Sequence, residues 1–328
     1  MFTDILGQEK AVSYLQNLVR TQRMPGALLF YGPDGVGKRK TALAFAQALN
    51  CEHPQDGNAC GTCASCQAAL KGTHPDITLV DFVYQARLNL KTAPSDSDYE
   101  EELAKEVAKQ QHLSVDTVRR VTALSQQKAV GNGWKVIIMD CAQTMQGAAA
   151  NALLKFIEEP PAKTVWILIT SKRAAMLPTI LSRCQPLAFA PLSQEQVVQI
   201  LQTAETDVED PQRCARYSGG SISGARKAAE ALELLESAEF GTPQGPCQAA
   251  AGLSRTAAQA RQEALAALEV LMTALHNGWV NATEAQRPAW QSVLNKFEQY
   301  KKSIGRNVSA ALVLETALMS LDGLNVKL

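Results

Sequence analysis

The chain has 328 residues, 46% hydrophobic and 20% charged, enough for two or three packed domains and too apolar for a disordered chain. Lysine plus arginine and aspartate plus glutamate both number 32, so the net charge is zero. That balance excludes a free-standing polyanion binder, whose domain would be strongly basic. The opening MFTDILGQEKAV lacks the apolar core of a signal peptide, and no run of about 18 apolar residues follows. No membrane span is therefore expected, and the expected compartment is the reducing cytoplasm, where clustered cysteines suit metals better than disulfides.

Up to Pro191, short apolar runs alternate with helical patterns. ALLFY, Ala27–Tyr31, reads as a buried strand entering a glycine-rich loop, and residues 38–50 read as a helix. Further strands are expected at 76–82 (DITLVDF), 135–140 (KVIIMD) and Thr164–Thr170 (TVWILIT), with helices at 115–128 and 147–159. Strands alternating with helices predict a parallel sheet with helices on both faces. Residues 87–111 are polar and acidic and read as an exposed insertion, a surface loop or a short solvated helix. Beyond Pro191 the strands stop. Helices are expected at 193–204 and 211–217, and a glycine-rich turn followed by a helix at 218–238. FGTPQGP (240–246) has linker composition, and from 249 the chain reads as helical with a turn near 277–288. The expected organisation is an α/β domain at 1–191, a small helical domain at 192–239 and an all-α domain at 247–328.

YGPDGVGKRK (31–40) meets the phosphate-loop pattern G-x-x-x-x-G-K-[ST] through Lys38. Gly32, Gly35 and Gly37 supply the turn whose backbone N–H groups wrap a phosphate, and Lys38 reaches the β/γ-phosphates. The next position should be a hydroxyl that binds Mg²⁺; here it is Arg39, which would repel a cation. Thr41 is no replacement, because two residues along a helix rotate a side chain by about 200°. KVIIMD ends on Asp140, where such proteins place a second carboxylate of the metal site, although Asp140 alone also reads as a strand-end turn residue. Many such ATPases carry Glu next, but here Cys141 follows, a thiol mostly protonated at neutral pH. Magnesium is not expected. ATP or ADP binding stays open: the loop is kept for packing, or holds a phosphate with Lys38 and Arg39 supplying the charge.

CEHPQDGNACGTCASC places Cys51, Cys60, Cys63 and Cys66 in the spacing C-x8-C-x2-C-x2-C. Four thiols in a polar, turn-rich segment point to a structural zinc site, rather than to four free buried cysteines. His53 is a substitute ligand for Cys51. The scattered Cys141, Cys184, Cys214 and Cys247 read as packing residues.

Five segments, in order, resemble the AAA+ clamp-loader subunits of bacterial DNA polymerase III. They are FTDILGQEKAVSYLQNLV, the phosphate loop with its following cysteine module, GTHPDI (72–77), AANALLKFIEEPP (149–161) and LPTILSRCQ (177–185). Within that family the chain is most similar to the delta-prime branch. The C-terminal half fits by length, helical pattern and ALVLETALMSL. The resemblance implies an AAA+ P-loop domain with an inserted zinc module, then a helical lid and a C-terminal collar. It also implies a place beside gamma/tau and delta subunits in a hetero-pentameric ring that loads the sliding clamp onto primed DNA. Arg183, in the Ser-Arg-Cys motif, would be an arginine finger for a neighbour's ATP site; a salt-bridging surface Arg is the alternative. Ser223 stands where ATPase members carry an Arg, with Arg226 a turn later. Arg39, Cys141 and Ser223 together indicate a member that does not hydrolyse ATP itself. An active gamma/tau-type ATPase is the second reading, and a stand-alone zinc and DNA-binding protein, disfavoured by neutral charge, a third.

Overall fold

A computed structural model describes residues 1–90, 99–131, 133–204, 208–237, 242, 244–304, 308–321, 324, 326 and 328. It divides into two compact units, Met1–Pro191 and Leu192–Leu328.

The first unit is a five-stranded sheet of β1 (Ala27–Tyr31), β2 (Ile77–Val80), β3 (Lys135–Met139), β4 (Thr164–Thr170) and β5 (Gln185–Ala188). The order is β2-β3-β4-β1-β5, and every pairing is parallel. Its helices are α1 (Glu9–Thr21), α2 (Lys38–Leu49), α3 (Ala64–Leu70), α4 (Phe82–Asn89), α5 (Tyr99–Lys109), α6 (Val115–Ser125), α7 (Gly147–Glu158) and α8 (Pro178–Leu181). The central strands are unbroken apolar runs because both faces are covered. Successive side chains alternate between two cores. Leu28, Phe30, Val136, Ile138, Val165, Ile167 and Ile169 pack with α1 and α2. Leu29, Ile137, Met139, Trp166 and Leu168 pack with α6 and α7.

Two boundaries differ from the sequence pattern. β2 stops at Val80 because the Asp81 carboxylate accepts from the Tyr84 N–H at 2.8 Å and caps α4. β5 was not expected: it is a mostly exposed edge strand containing Pro186, so it shows no apolar alternation. The acidic stretch includes α5, which buries none of its side chains and ties to α4 through Asn89 and Glu106 at 3.1 Å. Residues 91–98 of that stretch lie outside the described residues.

The second unit contains α9 (Gln194–Thr203), α10 (Pro211–Arg216), α11 (Ile222–Ser237), α12 (Gly245–Gly252), α13 (Ala257–Asn281), α14 (Arg287–Ile304) and α15 (Ala310–Met319). Ser193 opens α9 with a capping box: its hydroxyl accepts from the Gln196 N–H, and the Gln196 amide accepts from the Ser193 N–H. The segments expected as separate lid and collar share one hydrophobic core, which includes Val197, Leu201, Leu232, Leu268, Leu271, Phe297 and Leu314. Of the linker expected at 240–246, residues 240, 241 and 243 lie outside the described residues, and Gly245 and Pro246 begin α12 instead. Among the described residues no helix is long and apolar enough to cross a membrane.

Candidate functional site

β1 delivers the chain into the glycine loop, and Gly37, in the left-handed region, starts α2. Gly32 is fixed by the edge strand: a Cβ there would lie 2.2 Å from the Phe189 carbonyl, and its φ of +151° disfavours any side chain. Phe189 in turn donates its N–H to the Tyr31 carbonyl at 2.8 Å. Gln8, at the start of α1, clamps the loop from the other side. Its buried amide donates to the Val36 carbonyl (3.3 Å) and the Ala190 carbonyl (2.8 Å) and accepts from the Ala190 N–H (3.1 Å). That clamp was not recognised in the sequence, where Gln8 is one polar residue among several.

The loop's two cations are engaged by the protein itself. Lys38 is 5% exposed and donates Nζ to the carbonyls of Gly32 (2.9 Å) and Pro33. Burial pushes its pKa below the usual lysine range, opposed by Asp34, Asp140 and Cys141. Arg39 reaches across the strand ends: Nη2 lies 2.6 Å from Asp81 Oδ2, and Nη1 lies 3.6 Å from Asp140 Oδ2. Asp81 was missed in the sequence because it was read as part of a strand. The run DITLVD, ending like KVIIMD, was the available signal. Burial raises the Asp140 pKa, and the Cys141 N–H, Arg39 and Lys38 hold it back. The Cys141 N–H donates to Asp140 Oδ1 at 2.8 Å.

These residues do not fit a magnesium site. A guanidinium spans the carboxylates that would coordinate the ion, and no hydroxyl stands beside Lys38. The Thr41 hydroxyl is fully buried and donates to the Gly37 carbonyl at 2.9 Å. Burial, then Asp140 and Asp34, push the Cys141 thiol up to about 11, so this group stays protonated at neutral pH and is no base. Asp34 and Asp140 act on Lys38, and Asp81 and Asp140 on Arg39.

The four cysteines converge. Their sulfurs lie within 4.8 Å of one another, without His53, and could hold a metal ion. Tetrahedral zinc with Zn–S near 2.3 Å needs S–S separations of about 3.8 Å, a small contraction. The N–H groups of Cys63 and Thr62 hold the Cys60 thiol down at about 6, whereas burial pushes Cys51 and Cys66 up. Gly57 makes the approach to α1 possible: its φ is +77°, and a Cβ would lie 2.5 Å from the Gln16 carbonyl. Beneath the module, the Ser65 hydroxyl bonds the Asn50 carbonyl at 2.5 Å and lies 3.1 Å from His74 Nε2. Of the other cysteines, Cys184 and Cys214 are buried as expected, and Cys141 is half-buried. Cys247 corrects the packing expectation: it is exposed and donates to Glu315 at 3.0 Å.

Arg183 stands apart from the loop, just past α8. Ile180 and Cys184 are buried on either side, which directs Arg183 outward. Its Nε donates to Glu158 Oε1, and Nη1 donates to the Thr179 carbonyl at 3.0 Å and the Ser182 hydroxyl at 3.3 Å. This ion pair is the one expected of a salt-bridging surface arginine, and it was not visible in the sequence. Ser223 and Arg226 lie in the first turns of α11 in the second unit, half-buried and exposed respectively.

Residues 7–193 match the family model described as DNA polymerase III, delta subunit. The chain is 36% identical over 205 residues to the Pseudomonas aeruginosa DNA polymerase III subunit delta-prime, covering 61% of this chain and 55% of that one. It is 30% identical over 246 residues to the Bacillus subtilis DNA polymerase III subunit tau, covering 72% of this chain and 37% of that one. The chain thus spans about half, or less, of these relatives' own lengths. The solved structure of a DNA polymerase III gamma subunit-related protein from Thermotoga maritima shares the fold, with a TM-score of 0.55 at 17% identity over 93% of this chain and 97% of that one.

Proposed function

Because this chain belongs to the DNA polymerase III delta-subunit family, we propose that it is a delta-prime-type clamp-loader subunit that does not hydrolyse ATP itself. One observation carries the choice over a gamma/tau-type motor. Arg39 spans Asp81 and Asp140, where a hydrolysing member needs a divalent cation. The protonated Cys141 thiol, where a base would stand, supports the same reading. The phosphate loop then serves as packing between α2 and the sheet. In this reading the lid is 192–239, and the collar at 247–328 mediates assembly with gamma/tau and delta subunits in a cytoplasmic five-membered ring. Contact with the sliding clamp and primed DNA comes through that ring.

The chain's chemical contribution is made in trans. Arg183 would enter the ATP site of the adjacent subunit and neutralise charge growing on the γ-phosphoryl oxygens. Cys51, Cys60, Cys63 and Cys66 would hold a zinc ion. With all four positions filled by protein thiolates, none is open to water, so the ion holds the 51–66 loop and takes no part in catalysis. Metal analysis of the purified chain should find about one zinc per chain; a folded, metal-free protein would overturn that assignment. The non-hydrolysing reading is tested by Mg²⁺-ATP turnover of the chain alone. Background rates are expected, and sustained turnover would establish the motor reading instead.

A further inference from the structure

We propose that Glu158 is a positioning residue for Arg183, holding its guanidinium in the orientation from which it is handed to a neighbour's phosphoryl group. The proposal rests on the reading of Arg183 as an arginine finger. Glu158 is the last residue of α7. The carbonyl end of a helix is electrically negative, so a carboxylate there is disfavoured and a lysine or arginine preferred. A second acidic residue, Glu159, follows at once. α7 carries its own cation, Lys155, in that last turn, yet the cation that pairs with Glu158 is Arg183 from beyond the helix.

The contacts divide the guanidinium unequally. Glu158 takes Nε, and Thr179 and Ser182 take Nη1. Nη2 has no hydrogen-bond partner among the described residues. The fork is thus held at Nε and Nη1, leaving Nη2 as the uncommitted corner. Both side chains are partly exposed, so the pair is weak enough to be exchanged for a phosphate oxygen while still selecting the rotamer beforehand. A deeply buried carboxylate would have trapped the arginine; no carboxylate would have left a long, freely rotating side chain to be ordered at each encounter.

The test uses the reconstituted clamp loader carrying Glu158→Ala, Glu158→Gln or Arg183→Ala, or Glu158→Ala and Arg183→Ala together, with kcat and KM for ATP measured for each. Glu158→Ala should lower kcat by about 10-fold, leaving KM for ATP within about twofold. Glu158→Gln, which still accepts a hydrogen bond, should fall between Glu158→Ala and the unsubstituted protein. The double variant should be no slower than Arg183→Ala alone, because Glu158 acts only through Arg183. An unchanged kcat in Glu158→Ala beside a slowed Arg183→Ala would overturn the positioning role and leave the finger standing. So would a double variant slower than Arg183→Ala. An unchanged rate in Arg183→Ala would remove the finger reading, and the proposal with it.

Discussion

Arg39 and Arg183 both pair with carboxylates at the ends of secondary-structure elements, yet the settings differ. Arg39 meets Asp81 and Asp140, whose side chains are 12% and 19% exposed. Arg183 meets Glu158, which is 45% exposed. The arginines run the other way, 47% exposed for Arg39 and 36% for Arg183, so the contrast lies in the carboxylates: one shielded from water is costly to leave uncompensated. Exposed pairs contribute about 0–1 kcal/mol and exchange readily. One arginine is thus committed to its own chain and closes a site. The other is held by an exposed, exchangeable pair, as the proposed role in a neighbouring subunit requires. On the proposed reading the degenerate loop and the intact Ser-Arg-Cys motif agree: Arg39 stands where the loop would need a metal ion, and Arg183 is the residue offered to a neighbour.

The two arginines should differ in what they contribute to stability. Arg39→Glu would place a third carboxylate between Asp81 and Asp140 and should lower unfolding free energy by about 3 kcal/mol, read from the urea midpoint. Arg39→Ala, which only removes the cation, should cost about 1–3 kcal/mol, reduced because Arg39 is itself half-exposed. Arg183→Ala should stay within about 0.5 kcal/mol of the unsubstituted chain. A loss there equal to that of Arg39→Ala would erase the distinction. The smallest effect is expected at Cys141. Its pKa is raised from 9.0 to about 11, so the neutral thiol is favoured in the folded state. Its contribution is complete below 9.0 and lost as the pH rises toward about 11. Cys141→Ala should therefore show a shallower alkaline loss of stability and no change at neutral pH; an identical alkaline slope would count against the burial of that thiol.

Much of this was legible in the sequence wherever function is written as local spacing. The strand entering YGPDGVGK, the four cysteines, Asp140 at the end of KVIIMD and the Ser-Arg-Cys triplet are each contained in a few consecutive residues. What was not legible depends on pairing across the fold. Asp81 lies 42 positions from Arg39, and Glu158 lies 25 from Arg183. Gln8 meets Ala190 across 182 residues. β5 escaped because an exposed edge strand with a proline has no need of alternation. The joint core of α9–α15 escaped for a related reason: apolar helix faces show that burial occurs, but not which partner buries them.

In the proposed function this chain's catalytic contribution is Arg183, delivered to another subunit's nucleotide. The most direct measurement is single-turnover ATP hydrolysis by the reconstituted clamp loader containing Arg183→Ala, with ring assembly verified by sedimentation. Intact assembly is expected, with a rate at the affected site lower by on the order of 10³. Intact assembly with an unchanged rate would contradict it.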